Sequence, residues 1–223
     1  MFSGIIKEIG TVEKLESNNE ILNLTISSNL KNISLGDSIS VDGCCLTVTQ
    51  DYRQTGLQAN RTIDPQVLKS SSPQILTPFT VQITQESLLK TNLSNLKIGS
   101  KVNLEPSLKV GDSLDGHLVS GHIDNTGEVC EIQDDGENRI VKIIFPKELR
   151  SFIAPKGSVS VNGVSLTVID VVNDTFSFTL IPYTKNNTNL GLIKIGDLVN
   201  LEVDLISRYL VNYMESNKGL VYN

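Results

Sequence analysis

The 223-residue sequence has no tryptophan, only two histidines and only three cysteines. Those cysteines, Cys44, Cys45 and Cys130, cannot supply the disulfide framework of a small secreted domain, so we expect a reducing compartment. No run reaches the roughly 18 consecutive apolar residues that a membrane-spanning helix needs. The opening residues, MFSGIIKEIG, lack the basic and then apolar segments of a signal peptide. These absences predict a cytoplasmic protein that does not enter the membrane.

Basic charge is also in short supply. The chain has 19 Lys+Arg against 25 Asp+Glu, a net charge of −6, which gives no electrostatic footprint for nucleic acid. The common motifs that cradle nucleotide phosphates, form a serine-hydrolase elbow or bind zinc on a helix are absent. His117 and His122 are five positions apart, a spacing that places them on opposite faces of a strand. We therefore expect no metal site and no nucleic-acid partner.

Short segments of strand periodicity are present along most of the chain. Six of them alternate apolar and polar residues at period two: 23–27, 38–41, 79–83, 158–161, 176–180 and 198–203. Turn residues rich in Gly, Asn, Asp and Ser separate these segments. Many short strands at such spacing favour sandwiches or small barrels over a parallel sheet. The sequence predicts an all-β fold.

One segment near the C-terminus has helical spacing instead. Between Leu205 and Asn217 the apolar residues fall on one stripe, namely Ile206, Tyr209, Leu210, Tyr213 and Met214. Gly219 is a suitable stop signal. This helix either covers one end of a barrel or packs against another subunit.

The chain contains an internal repeat. Three ordered pairs of blocks match, 2–16 with 119–133, 38–48 with 158–168, and 79–105 with 176–202. Such self-similarity indicates a tandem duplication of one β domain. The spacing between matched blocks falls from 120 to 97 residues, so the first copy carries 23 additional residues within 51–78. This insertion is either a surface excursion without a role or a lid or contact arm.

Polar residues recur at matching positions of the two copies. A tight D-G or N-G turn precedes Cys45 and Thr47 in the first copy and Ser165 and Thr167 in the second. Residues two apart project from the same strand face, so each copy either satisfies backbone groups near its turn or presents a pair of small polar groups to a ligand. A glycine in SGII and SGHI would let a flat ligand approach the backbone closely. The repeated T-N-L triplet indicates a capped helical turn. The duplication favours two copies of the same or a similar ligand.

The motifs MFSGII, SVDGCCLTV, KTNLSNLKIGSKVNLE, DGHLVSGHID, SVNGVSLTV and IPYTKNNTNLG resemble those of riboflavin synthase of the α-chain type, a family with two lumazine-binding repeats. The resemblance implies two six-stranded antiparallel Greek-key barrels, 1–117 and 118–204, followed by a trimerisation helix at 205–219. It implies a dismutation of 6,7-dimethyl-8-ribityllumazine to riboflavin and 5-amino-6-(ribitylamino)uracil, the last step of riboflavin biosynthesis, without a cofactor. It also implies a homotrimer, with lumazine synthase as a candidate partner.

The resemblance carries over residue by residue. Positions tied to activity in the family are Phe2, Ser38, Cys45, His122 and Asp204. Substrate contacts map in the first copy onto Gly4, Ile5, Ile6, Cys45, Leu46, Thr47, Gln82, Ile83, Thr84, Gln85, Glu86 and Ser87. In the second copy they map onto Gly121, His122, Ile123, Lys156, Ser165, Leu166, Thr167, Ile181, Pro182, Tyr183, Thr184, Lys185 and Asn186.

The resemblance also suggests roles for these residues. His122 is the candidate base or proton relay, Cys45 and Ser38 are polar contacts of the first barrel, and Asp204 is an acid or orienting group of the second. Two departures from the family pattern are Tyr183, where many members have His or Glu, and Asn162, where some have Asp. The other functional hypotheses are a non-catalytic lumazine- or flavin-binding protein of the same fold and the flavin-binding barrel of a reductase, whose nucleotide domain this chain lacks.

Overall fold

The computed structural model describes residues 1–18, 21–51 and 77–217. The first copy contributes six strands: β1 (Glu8–Asn18), β2 (Ile21–Ser28), β3 (Ser38–Val41), β4 (Cys44–Asp51), β5 (Thr77–Thr84) and β6 (Lys101–Pro106). All neighbours are antiparallel, and the order β1-β2-β5-β4-β3-β6 closes into a barrel. The six-stranded barrel predicted for the first copy is therefore confirmed.

The second copy repeats this strand order with one additional strand. Its strands are β7 (Asn125–Asp135), β8 (Asn138–Ile144), β9 (Ser158–Val161), β10 (Val164–Thr167), β11 (Val171–Val172), β12 (Thr175–Leu180) and β13 (Leu198–Val203). They form a curled sheet in the order β10-β9-β13-β7-β8-β12-β11. The six segments of strand periodicity all lie in strands, and the duplication of the fold is confirmed.

The second sheet differs from a closed six-stranded barrel in one place. Strand β10 has four residues where β4 has eight, so it ends before it forms a ladder with β12. The chain instead turns at Asn173, which has a positive φ of 53°, and β11 folds back onto β12. Hydrogen bonds from the N–H of Ile169 to the carbonyl of Ser177 (2.8 Å) and from the N–H of Ser177 to the carbonyl of Asp170 (3.2 Å) bring the two ends of the sheet together.

Alternation along β4 fixes which side chains reach the core. Cys44, Leu46 and Val48 are buried in the first core, whereas Cys45 is half-buried and Thr47 is exposed. The predicted common face of Cys45 and Thr47 is confirmed, as is the opposite orientation of Cys44 and Cys45. In β10 the same pattern buries Val164 and Leu166 and leaves Ser165 and Thr167 on the outer face.

The helices are short except for the last. They are α1 (Gln85–Lys90), α2 (Pro182–Asn187) and α3 (Leu205–Ser216). In α3 the five residues of the predicted apolar stripe are between 57% and 70% exposed, so this face does not cover a barrel end. No helix in the described ranges is long and apolar enough to cross a membrane. Residues 52–76 of the predicted insertion lie outside the described residues.

Both T-N-L triplets form helical turns, as predicted, but the predicted side-chain cap is present at Thr91 and not at Thr188. After Thr91 the chain enters a 3-10 turn at Asn92–Asn95, and the Thr91 hydroxyl accepts a hydrogen bond from the N–H of Leu93 at 3.3 Å. The asparagine of each triplet has a second role that the sequence analysis did not foresee, because it binds the other copy.

The two copies meet back to back at their tight turns. A Cβ atom added to Gly43 would lie 2.7 Å from the backbone nitrogen of Gly163, and one added to Gly163 would lie 2.7 Å from that of Gly43. Both glycines have φ near +80°, a region that favours glycine. Only a residue without a side chain fits at either position, so the D-G and N-G turns create the contact between the copies.

Asparagines on either side of these turns form matching hydrogen bonds. The Asn103 side chain donates to the carbonyl of Asn162 at 2.9 Å, and the Asn200 side chain donates to the carbonyl of Asp42 at 2.8 Å. In return, the carbonyl oxygen of the Asn103 side chain accepts from the N–H of Asn189 at 2.7 Å. The Asn200 side chain accepts from the N–H of Asn92, also at 2.7 Å. Because each hydrogen bond from the first copy to the second is matched by one in the opposite direction, the two copies are related by an approximate twofold axis.

Candidate functional site

The N-terminal segment of the chain lies on the second copy. The carbonyl of Gly4 accepts a hydrogen bond from the N–H of Ser165 at 2.8 Å. A Cβ atom on Gly4 would lie 2.6 Å from the Ser165 Cβ, so glycine is required for this approach. Ile6, two residues further, packs against the core of the second copy.

The matching segment of the second copy lies on the first. The carbonyl of Gly121 accepts from the N–H of Cys45 at 2.8 Å, and a Cβ atom on Gly121 would lie 2.6 Å from the Cys45 Cβ. Ile123 packs against the core of the first copy. The two crossing segments, 4–6 and 121–123, are therefore exchanged between the copies.

Two buried carboxylates hold the crossing segments in place. Glu105 accepts hydrogen bonds from the N–H of Ser3 (2.7 Å), the Ser3 hydroxyl (2.7 Å) and the N–H of Gly4 (3.0 Å). Glu202 accepts the same three bonds from the Ser120 N–H (2.7 Å), its hydroxyl (2.6 Å) and the N–H of Gly121 (3.0 Å). Burial raises the pKa of both carboxyl groups, and the donated hydrogen bonds lower it in part.

The exchange regroups the residues implied by the resemblance. We call the first mouth the surface formed by Cys45, Thr47 and 82–87 of the first copy together with 121–123. The second mouth is formed by Ser165, Thr167 and 181–186 of the second copy together with 4–6. The resemblance had implied that 4–6 belongs with the first barrel and 121–123 with the second. The structure corrects this grouping, because each crossing segment hydrogen-bonds to a strand of the other copy.

The two adjacent cysteines have different environments. Burial raises the pKa of the Cys44 thiol to about 12, so this thiol stays protonated inside the core. Cys45 is half-buried on the outer face of β4, where Gly121 covers it in part. Of the two, only Cys45 is placed to meet a ligand in the first mouth.

His117 belongs to the second mouth. Its Nδ1 lies 2.7 Å from the Ser165 hydroxyl, and its side chain is 9% exposed. Burial lowers the pKa of His117, and the nearby Asp204 carboxylate partly opposes this shift, so the imidazole is neutral at neutral pH. The Nε2 atom is buried without a hydrogen-bond partner. From the sequence, His117 was considered only as a possible metal ligand, although it lies in the same DGHLVSGHID motif as His122.

The other residues tied to activity lie at the mouths or beside them. His122 is exposed and follows Gly121 in the first mouth. Phe2 is fully buried and forms an antiparallel bridge with Val119. It is therefore not part of a free terminus but anchors the crossing segment that follows it. Ser38 is half-buried and pairs with Thr47 across the strands.

Asp204 begins helix α3 as its N-cap. Its side chain accepts a hydrogen bond from the N–H of Ile206 at 2.8 Å. Its charge also acts on His117 in the second mouth. One residue thus links the start of the C-terminal helix to the second mouth.

Several residues implied as contacts do not present side chains to a ligand. Leu46, Ile83 and Leu166 are 8% exposed or less and belong to the barrel cores, so only their backbone could touch a ligand. By contrast, the side chains of Lys156 and Tyr183 are exposed to solvent, and Tyr183 is 70% exposed.

One cavity of the described structure lies away from both mouths. It is an open groove of about 560 Å³ between the copies, lined by Asp42, Asn92, Asn95, Leu96, Ser100, Lys101, Asn162, Asn189, Leu192, Ile193, Gly196, Asp197 and Leu198. None of the residues implied as substrate contacts lines it. We place the candidate site at the mouths because the matching polar motifs of the two copies meet there. No group of three or more His, Cys, Asp and Glu residues suited to a metal ion occurs in the described part of the chain.

Sequence reasoning missed the residues that hold the mouths together. These are Glu105 and Glu202 together with the asparagines of the axis, Asn92, Asn103, Asn189 and Asn200. The signal was available, because the repeated T-N-L and V-N-L-E blocks contain all six of them. Strand periodicity and helix capping explain the apolar residues and the threonines of these blocks but not the asparagines and glutamates.

Comparison with known proteins agrees with this architecture. The family model of the lumazine binding domain matches residues 3–107 and 120–204. Riboflavin synthase of Actinobacillus pleuropneumoniae is 37% identical over 216 residues, covering 96% of this chain and 90% of that protein. Riboflavin synthase of Brucella abortus (strain 2308) is 37% identical over 220 residues, covering 98% of this chain and 100% of that protein.

Solved structures show the same fold. The crystal structure of LumP complexed with 6,7-dimethyl-8-(1'-D-ribityl) lumazine aligns with a TM-score of 0.71 at 25% identity, covering 91% of this chain and 99% of that chain. The LumP complex with riboflavin aligns with a TM-score of 0.73 at 25% identity and the same coverage. Fold and mirrored mouths thus define the class, a protein of two lumazine-binding domains. Within that class the chain belongs to the riboflavin synthase family, as its motifs predicted, and is an enzyme, a transferase.

Proposed function

We propose that the chain converts two molecules of 6,7-dimethyl-8-ribityllumazine into riboflavin and 5-amino-6-(ribitylamino)uracil by transfer of a four-carbon unit. The two products together contain the atoms of the two substrates, so the reaction needs no oxidant, reductant or added cofactor. The observation that carries the proposal is the mirrored pair of mouths, in which one chain offers the same backbone frame twice. Donor and acceptor are the same compound, and holding both in register supplies much of the rate.

The side chains at the mouths suit a proton transfer. The C7 methyl group of the lumazine is acidic, so a positioned imidazole is a sufficient base. His122 is exposed in the first mouth, next to the Gly121 backbone that covers Cys45. In the second mouth His117 is bonded to the Ser165 hydroxyl. Each mouth therefore has one histidine near a small thiol or hydroxyl group, Cys45 in the first mouth and Ser165 in the second.

We further propose that the productive site forms between subunits of a homotrimer. Support comes from α3, whose stripe of Ile206, Tyr209, Leu210, Tyr213 and Met214 is at least 57% exposed at every position. A contiguous exposed apolar face of this kind marks an interaction surface. A second copy of this chain, presenting the same stripe, would bury it and bring the first mouth of one subunit to the second mouth of its neighbour.

Removal of residues 205–223 tests the assembly. The two barrel cores do not include α3, so the truncated chain should fold, sediment as a monomer and lose nearly all turnover. Sedimentation velocity, far-ultraviolet circular dichroism and riboflavin formation measure the three properties. A truncated protein that is still trimeric would show that the helix is not the assembly element.

The experiment that tests the reaction uses the purified chain and 6,7-dimethyl-8-ribityllumazine alone. Riboflavin formation, followed by visible absorbance, is the expected result, with one riboflavin for every two lumazines consumed. A chain that binds the lumazine without forming riboflavin would instead be a carrier.

The carrier is the second candidate function, since three of the matching solved structures are LumP complexes, with 6,7-dimethyl-8-(1'-D-ribityl) lumazine, riboflavin and flavin mononucleotide. We favour the enzyme because polar groups are present at both mouths.

A further inference from the structure

Helix α3 is joined to the first mouth by one ion pair. Arg208 Nη1 donates to Asp124 Oδ1 at 2.7 Å, and Nη2 donates to Asp124 Oδ2 at 2.9 Å. The Asp124 side chain is 12% exposed and that of Arg208 is 36% exposed. Two parallel hydrogen bonds to one carboxylate fix orientation as well as distance. The pair therefore differs from a loose surface salt bridge.

Asp124 connects the ion pair to the crossing segment 121–123. It directly follows Ile123, which packs on the first core, and lies three residues after Gly121, which bonds to Cys45. Its Oδ2 also accepts the N–H of Val203 at 2.9 Å, one residue before Asp204 begins the helix. The carboxylate thus joins the crossing segment 121–123, the last strand and the helix.

The barrel fold itself does not require this pair. In the first copy Lys7 occupies the position that matches Asp124, three residues after the crossing glycine. The backbone is the same in both, since the N–H of Lys7 donates to Leu104 and that of Asp124 donates to Leu201, each at 2.9 Å. The ion pair is an addition of the second copy, where the helix begins.

We infer that Arg208 is a positioning residue for the reaction and acts through Asp124. It fixes the crossing segment 121–123, and with it His122, above Cys45 in the first mouth. This inference rests on the proposed function and adds to it a residue of α3 that sets the geometry of the first mouth. Small displacements of positioned groups lower turnover steeply while leaving the fold intact.

Four variants of the full-length chain test the inference: Arg208→Ala, Arg208→Lys, Asp124→Ala and the double variant Asp124→Ala/Arg208→Ala. Arg208→Ala should lower kcat about tenfold with a smaller change in KM. Arg208→Lys should recover most of the loss, because it keeps the charge and one hydrogen bond. The double variant should be no slower than the slower single variant, since the two residues act as one unit.

The control is Asn212→Ala, one turn further along α3, where the side chain accepts a hydrogen bond within the helix from the Ser216 hydroxyl at 3.2 Å. It should keep the parent kcat. Sedimentation of each variant should show the parent assembly. The inference is overturned if Arg208→Ala keeps the parent kcat, if its loss adds to that of Asp124→Ala in the double variant, or if it dissociates the assembly.

If the proposed function is wrong, the experiment gives a result that can be told apart from failure of the inference. In that case the parent forms no riboflavin from 6,7-dimethyl-8-ribityllumazine. Positioning is then measured by titration of the lumazine fluorescence, in which Arg208→Ala should weaken binding about fivefold and Asn212→Ala should not. Unchanged binding in both variants would overturn the inference independently of the reaction.

Discussion

The two crossing glycines of the molecule show how alike its copies are. Gly4 lies on Ser165 and Gly121 lies on Cys45, each with a carbonyl that accepts a hydrogen bond at 2.8 Å. The carboxylates beneath them accept the same three hydrogen bonds with lengths that agree within about 0.1 Å. The frame of both mouths therefore consists of backbone groups and buried acids that the duplication has kept.

The side chains on this frame are different in the two copies. Cys45 faces the first mouth where Ser165 faces the second, and Asp42 occupies the turn where the second copy has Asn162. His117 is bonded to Ser165, whereas among the described residues no histidine is bonded to Cys45, its counterpart in the first copy. If the mouths hold the lumazine as proposed, the shared frame sets where the ring lies, and the side chains that differ give each mouth its own role.

Breaking the shared frame should have the largest effect. Gly121→Ala and Gly4→Ala each place a Cβ 2.6 Å from a strand of the other copy at a positive φ, and each should lower the free energy of unfolding by about 3 kcal/mol. Gly36→Ala is the control, because Gly36 has φ +88° but nothing within 4 Å, and it should cost about 1 kcal/mol. Urea denaturation measures all three. Equal losses at Gly36 and Gly121 would show that the crossing is not tightly packed.

The two histidines test whether the mouths have separate roles. His122→Gln should slow turnover by about ten- to a hundredfold, because it removes the proposed base of the first mouth. With a spacing that places it on the opposite strand face from His122, His117 is expected from the sequence to tolerate the same change unless it packs structurally. The structure meets that condition, so His117→Gln should weaken ligand binding at the second mouth. A pH–rate profile and a lumazine titration of both variants provide the comparison. Parent turnover in His122→Gln beside slow turnover in His117→Gln would make the assignment of the base wrong.

The third test concerns the approximate twofold axis between the copies, where Asp42 of the first copy corresponds to the neutral Asn162 of the second. Burial raises the pKa of Asp42 from 3.8 to about 7, against hydrogen bonds from Asn103 and Asn189 that lower it. Between these values the folded chain holds a proton that the unfolded chain releases, so the free energy of unfolding falls as pH rises. Asp42→Asn should remove about 2 kcal/mol of this decline between about pH 5 and pH 8. Asn162→Asp should make the fall of the free energy of unfolding with rising pH steeper. Parallel curves for parent and Asp42→Asn would refute the assignment.

The smallest effect is expected where the mouths differ by one atom. Cys45→Ala should lower turnover about tenfold with little change in stability, because the thiol is half-buried and leaves only a small cavity. Lumazine titration should still detect the second mouth. Cys44→Ala is the matched control, since Cys44 lies in the core and should lower stability rather than turnover. An unchanged turnover rate in Cys45→Ala would show that Cys45 contributes to packing and not to the reaction.

Most of the strands and their faces could be predicted from the sequence. Alternation along β4 and β10 was enough to place Cys45 with Thr47, and Ser165 with Thr167, on one strand face, because period two depends only on local backbone geometry. The apolar stripe of α3 was equally clear, although whether it is covered depends on the surrounding structure.

The exchange of the crossing segments could not be predicted. Periodicity gives the face of a residue but not the copy against which that face packs, and Gly4 and Gly121 fit either arrangement. The burial of His117 is also a tertiary property, since it depends on the Ser165 strand 48 residues away. The incomplete closure of the second sheet follows from the four-residue length of β10, and the period-two pattern through Val168 gave no sign of it.

The central claim, that a first mouth and a second mouth from different subunits complete one site, can be tested directly by mixing subunits. Cys45→Ala and Ser165→Ala chains are unfolded together, refolded as mixed oligomers and supplied with 6,7-dimethyl-8-ribityllumazine. The account predicts turnover clearly above that of either variant alone, because some contacts then join an intact Ser165 mouth to an intact Cys45 mouth. A parallel mixture of the parent with Cys45→Ala/Ser165→Ala calibrates subunit exchange. Mixed oligomers that are no faster than the single variants would contradict the claim.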